Sequence, residues 1–159
     1  MPRAALFMAR FCSSAWIGAA TLFVIVGVLE VTRGGFESTT KDVLVGIRFP
    51  PFYATGTILV GLAWVGACLA EYHPELTARR RAISILSLLA VLALIFIDYN
   101  WIYAPLAAMV NPPGQAKPMD FIKLHEASKY FNLAGLALSW IAAIALNLPS
   151  KSADVSRSQ

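Results

Sequence analysis

The chain has 159 residues, of which 58% are hydrophobic and 14% charged, and a formal net charge of +4. Its mean hydropathy is +0.64. Soluble domains carry roughly a quarter charged residues, so this composition excludes an ordinary soluble domain. The basic residues mostly flank apolar runs, which argues for a membrane topology signal and against nucleic-acid binding.

Taken in chain order, Phe11 to Leu29 is a run of 19 residues without a charge, preceded by Arg3 and Arg10. It exceeds the apolar core of a usual signal peptide. Glu30 and Arg33 follow without a clear small-x-small cleavage site, so it reads as a retained helix. Phe49 to Ala70 is a second run of 22 residues, Ala82 to Ile97 a third of 16 that continues past Asp98, and Tyr130 to Pro149 a fourth of 20. A bilayer-crossing helix needs about 20 mostly apolar residues. The runs lack the alternation of barrel strands. The expected fold is an all-α integral membrane protein, a bundle of four transmembrane helices over residues 8–148. Its spans are near 11–30, 50–70, 82–104 and 121–148, and a polar, disordered tail covers 149–159.

The connections differ in character. Residues 30–51 read as a long connection punctuated by Gly34, Gly35, Pro50 and Pro51. The next is short, with Pro74 as its breaker. Pro105 is expected to end or kink the third helix, and Pro118 suits the first turn of the fourth. Four spans put both termini on one side, with Arg3, Arg10, Arg79, Arg80, Arg81, Lys151 and Arg157. The other side carries Arg33, Lys41, Arg48, Lys117, Lys123 and Lys129. The Arg79–Arg81 triplet abuts the third span, where charge weighs most, so both termini are expected in the cytoplasm. Phe52, Tyr53, Tyr99, Trp101, Tyr103 and Tyr130 are expected at the outer interface, Trp16 and Tyr72 toward the inner one, and Trp64 and Trp140 between helices. Small residues suggest where helices meet: Ser14 and Gly18 in the first, Gly135, Ser139 and Ala143 in the fourth. Gly56, Gly61 and Gly66 rotate around the second. Cys12 and Cys68 fall at one membrane face and read as small packing residues.

The polar residues inside this frame are few. Asp98 lies 17 residues after Arg81, about 25 Å along a helix. It falls inside the hydrocarbon or at its outer edge, and an intramembrane acid is a functional hypothesis by default. Phe121, His125, Ser128 and Asn132 share one face of the fourth helix, which continues into Gly135, Ser139 and Ala143. Asp98, Asn100, His125, Ser128 and Asn132 thus form one expected outer-leaflet layer, with Glu30 ending the first span there too. His73 lies on the opposite side, so a bis-histidine haem within one chain is disfavoured. No nucleophile elbow, P-loop, HExxH or CxxC pattern occurs.

Trp16 and Gly18 in the first span, "DYNWIYAPLAAM" at 98–109 and "FIKLHEASKYFNL" at 121–133 resemble the transmembrane protein 205-like family, a group of membrane domains without defined biochemistry. The matching positions are Trp16, Gly18, Asn100, Pro105, Phe121, Leu124, His125, Ser128 and Asn132. The resemblance covers roughly residues 8–148 and departs after the first span, where "GGFESTTKDV" stands in place of an Ala-Pro-x-x-Phe element. It implies a four-helix membrane protein. More distantly the chain looks like copper-resistance membrane domains and a haem-binding membrane protoporphyrinogen oxidase, which would make His125 a haem or copper ligand with Asp98 or Asn132 behind it. Three readings follow: a non-enzymatic membrane protein whose polar cluster is structural, a haem- or copper-binding redox protein, and a transporter with Asp98 as a proton-carrying carboxylate. A single well-placed histidine favours the first, unless a dimer pairs two copies of His125. The partners expected are the lipid bilayer and, left open, a second copy or another membrane protein.

Overall fold

A segment surrounded by hydrocarbon must satisfy its own backbone hydrogen bonds, and the apolar runs do so as helices. The computed structural model describes residues 2–33, 35–70, 73 and 76–149. The expectations on Gly34, Tyr72, Pro74, Lys151, Arg157 and the tail from 150 onward lie outside the described residues. Four helices make an all-α bundle: α1 (Pro2–Thr32), α2 (Ser38–Leu69), α3 (Ala78–Met109) and α4 (Asp120–Asn147). All four are long and apolar enough to cross a membrane.

The helices run up and down in sequence, α1 packing on α2 and α4, and α3 on α2 and α4. The ends define two layers. At one end Arg10 Nε of α1 donates to the Leu146 carbonyl at 2.8 Å, and Arg80 Nε of α3 to the Ala145 carbonyl at 2.8 Å. These guanidiniums meet the open carbonyls and negative dipole end of α4. At the other end Glu30 of α1 pairs with Arg48 of α2. Asp42 at the start of α2 accepts from the Gly114 amide at 3.0 Å and pairs with Lys117 at 2.8 Å, tying the α3–α4 loop down. Gly114 has φ +85°, the left-handed region that favours glycine, and a Cβ there would meet Thr39 Oγ1 at 2.8 Å.

The interior is small and the exterior large, as expected where lipid replaces water. Ala5, Ala9, Ala63, Ala67 and Ala70 are buried, while Leu86 in α3 is 66% exposed and Leu133 in α4 65%. The closest approach is between α1 and α2: a Cβ on Gly66 would lie 2.7 Å from the Ala5 carbonyl oxygen and 2.9 Å from the Ala9 nitrogen. Ser14 and Gly18 face outward, and Gly18 meets nothing within 4 Å, so the α1 seam is Ala5, Ala9, Cys12, Trp16 and Ala20 instead. Trp140 is 51% exposed and does not pack between helices, whereas Trp64 packs on the core. Cys12 and Cys68 are free thiols.

Two prolines expected to bound α2 lie inside it. The helix begins at Ser38, and Pro50 and Pro51 sit mid-helix, leaving the Gly46 and Ile47 carbonyls without their usual donors. Such breaks are tolerated in a bundle because tertiary contacts hold the helix. Pro105 does not end α3. The six residues Asp98–Tyr103 before it form a π-helical turn, and α-helix resumes to Met109. A wider turn before a proline accommodates the missing N–H and the ring. Pro118 precedes α4, its carbonyl accepting from the Phe121 amide at 3.0 Å.

Candidate functional site

The buried seam of α3 is Ser84, Ser87, Leu88, Val91 and Asp98. Asp98 therefore points inward because it continues a helical stripe, and it opens the π-helical turn. The buried seam of α2 runs Tyr53, Gly56, Val60, Ala63, Ala67, spaced 3, 4, 3 and 4, and delivers a phenol to the same level. On α4, Ser128 is buried and Asn132 half-buried on the facing side.

These residues converge on one carboxylate oxygen. Tyr53 donates its hydroxyl to Asp98 Oδ2 at 2.7 Å, Asn132 Nδ2 donates at 2.9 Å, and Ser128 Oγ lies at 3.4 Å. Asn132 is itself held by the Ser128 carbonyl at 2.9 Å. Asp98 is 2% exposed, so it sits inside the bundle rather than in headgroup water. All three donors are neutral, and Oδ1 has no hydrogen-bond partner.

Beside Asp98 lies a cavity of about 30 Å³, shared among all four helices. Trp16, Phe52, Tyr53, Ile95, Asn132 and Gly135 contribute to its wall. A cavity of this size admits a water. Trp16 Nε1 is a second buried polar atom without a partner, and its residue lines the same cavity. The two residues that carry these unpartnered atoms both line the cavity. Gly56 makes the slot for the indole: a Cβ there would stand 2.7 Å from the Trp16 ring. Trp16 is consequently buried between α1 and α2.

Toward the Glu30–Arg48 end the site is covered by rings. Phe23 stacks on Phe52 at 4.0 Å and meets Phe49 edge-on at 5.1 Å. Phe49 stacks on Tyr103 at 5.4 Å, and Tyr103 lies 5.2 Å from Tyr53. Arg48 lies over the Phe23 ring at 4.9 Å. Of the aromatics expected at the outer interface, Tyr53 and Tyr103 are buried, and Tyr99, Trp101 and Tyr130 are exposed.

Of the expected layer, Asp98, Ser128 and Asn132 come together, and Asn100, His125 and Glu30 do not. Asn100 is exposed, its amide donating to the Phe96 carbonyl at 2.8 Å. Two residues from Asp98 along a helix, it faces another direction. His125 is exposed and stacks on Phe121 at 5.9 Å with rings nearly parallel, while Lys117 lies over Phe121 at 5.0 Å. It shares a face with Asn132 but sits seven residues, about 10 Å, farther out along α4. Glu30 is held by Arg48. Tyr53 is the member that reading the chain missed; its 3-4-3-4 spacing with Gly56, Val60, Ala63 and Ala67 is the signal that marks it as inward. Gly18, Pro105 and Leu124 bring no side chain to the site.

Among the described residues, no three of His, Cys, Asp or Glu group as metal ligands. Around His125 the neighbours are the Phe121 ring, Lys129 and Glu126, whose carboxylate is paired with Lys129, and around Asp98 the donors are a phenol, a hydroxyl and an amide. This donor set does not fit a haem or copper centre. No family model, curated protein or solved structure matches the chain.

Proposed function

We propose that the chain is a non-enzymatic, multi-pass membrane protein that works through reversible protonation of Asp98, as a proton-linked carrier or relay. One observation carries this reading: a carboxylate 2% exposed, with neutral donors filling Oδ2 and with Oδ1 left unpartnered beside a water-sized cavity. Oδ2 fixes the side chain, and Oδ1 is the oxygen that takes or yields a proton without disturbing that fixation. The large majority of buried polar atoms in structural networks are hydrogen-bonded. Buried ionisable groups in membrane helices mark proton relays and ion pathways.

The resemblance to the transmembrane protein 205-like family belongs to the same proposal. Of its pattern, Trp16, Ser128 and Asn132 surround Asp98. The Arg79–Arg81 triplet in the first turn of α3 supports both termini in the cytoplasm, with Asp98 then in the half of the bundle away from it. Nothing in the donor set favours the haem or copper reading.

Vesicles reconstituted with the protein and loaded with a pH-sensitive dye test the proposal. Wild-type vesicles are expected to dissipate an imposed pH gradient faster than vesicles holding Asp98→Asn, with both proteins eluting as the same monodisperse species. Equal rates would overturn it.

A further inference from the structure

Resting on that reading, we infer that the Asp98 cavity is a water site reached from the side of the bundle, past Tyr53 and Ile95. A groove of about 560 Å³ lies between α2 and α3, lined by Pro50, Thr57, Phe96, Tyr99 and Asn100 among others. Tyr53 and Ile95 line both this groove and the 30 Å³ cavity at Asp98. These two side chains are common to both linings.

The axial side carries more side chains. Outward of the cavity, Phe23, Phe49, Phe52 and Tyr103 stack on one another, and the Glu30–Arg48 pair lies over them. Tyr53 also has something to release: its hydroxyl closes on Asp98 Oδ2 at 2.7 Å. The backbone is loosened on both sides of it. Pro50 and Pro51 interrupt the hydrogen-bond ladder of α2 within one turn before Tyr53, and the π-helical turn of α3 starts at Asp98. Asp98 is the one charged side chain lining either space among the described residues. A water there accepts from Trp16 Nε1–H and donates to Asp98 Oδ1. In the transfer step a hydronium gives its proton to Oδ1 and remains as water.

The indole N–H of Trp16 reports on this route without reference to the charge of Asp98. The chain has 4 tryptophans, so selective ¹⁵N-tryptophan labelling gives a simple spectrum, and Trp16→Phe assigns the resonance. Trp64 Nε1 is also buried without a partner but lines neither space, so its exchange in heavy water is the internal reference for global opening. Relative to Trp64, Ile95→Ala should speed Trp16 exchange about tenfold, and Ile95→Phe should slow it, as expected for access through local opening. Phe49→Ala in the ring stack should leave the ratio within about twofold. Acceleration by Phe49→Ala and not by Ile95→Ala would overturn the lateral route in favour of the axial one. An unchanged ratio in all variants would overturn it as well. Because this readout does not involve proton flux, the lateral route can fail while Asp98→Asn still abolishes flux, and the reverse.

Discussion

The two ends of the bundle are built on different plans. Toward Arg10 and Arg80, α1 and α2 are drawn together by alanines and Gly66 until backbone meets backbone, and guanidiniums cap α4. Toward Glu30 and Arg48, the helices are held apart by aromatic rings, two helices carry backbone irregularities, and the polar groups and cavity lie between them. A close-packed clamp has no room for a site. The looser end has it because Pro50, Pro51 and the π-helical turn spend backbone regularity there, while the clamp holds the helices in register.

The largest effect that would break this comparison is at the clamp. Gly66→Val drives a side chain into main-chain atoms of Ala5 and Ala9, which cannot yield as a flexible side chain can. It should cost about 3 kcal/mol, at the upper end of overpacking penalties. Gly61→Val, in open space on the same helix, should cost far less in the same denaturation assay in detergent. Similar losses at both positions would remove the clamp. Next, Asp98→Ala strands the buried Tyr53 hydroxyl, for a loss of about 2 kcal/mol, while the Asn132 amide keeps its bond to the Ser128 carbonyl. Asp98→Asn keeps an acceptor and should fall well short of that.

Gly135→Ala sharpens the comparison from inside the site. Gly135 lines the cavity, and a Cβ there meets nothing within 4 Å. Stability should stay within about 0.5 kcal/mol, while proton flux falls as the methyl takes up space for water. Flux unchanged by Gly135→Ala would argue that water does not occupy the cavity. The smallest effect is at His125: exposed, and stacked only on Phe121, its change to Gln should shift stability by no more than about 0.5 kcal/mol and leave flux intact. A larger loss would return His125 to the site.

Much of the architecture is legible in the chain because four apolar runs of spanning length can hardly be anything else. The start of α2 is not legible: Lys41, Asp42 and Arg48 lower its apolar character, and Pro50-Pro51 reads as a stop in any scheme based on local propensity. Tertiary packing overrides that propensity here. Depth along a helix is legible and direction is less so. Asp98, Asn100 and His125 share a layer on paper, but Asn100 points elsewhere and His125 lies beyond the reach of α3's buried seam. Tyr53 is hidden for the opposite reason: as one of a pair of aromatics near a span boundary it reads as an interfacial ring, and its inward direction emerges from the periodicity of the residues after it.

The central claim is that Asp98 holds an exchangeable proton inside the bundle. Infrared difference spectroscopy of the purified protein across a pH titration tests it most directly. A carboxylic C=O band is expected that titrates, shifts in heavy water and is missing from Asp98→Asn. A spectrum in which no titrating carboxylic band depends on Asp98 would contradict it, leaving Tyr53, Ser128, Asn132 and Asp98 as a fixed tie between helices.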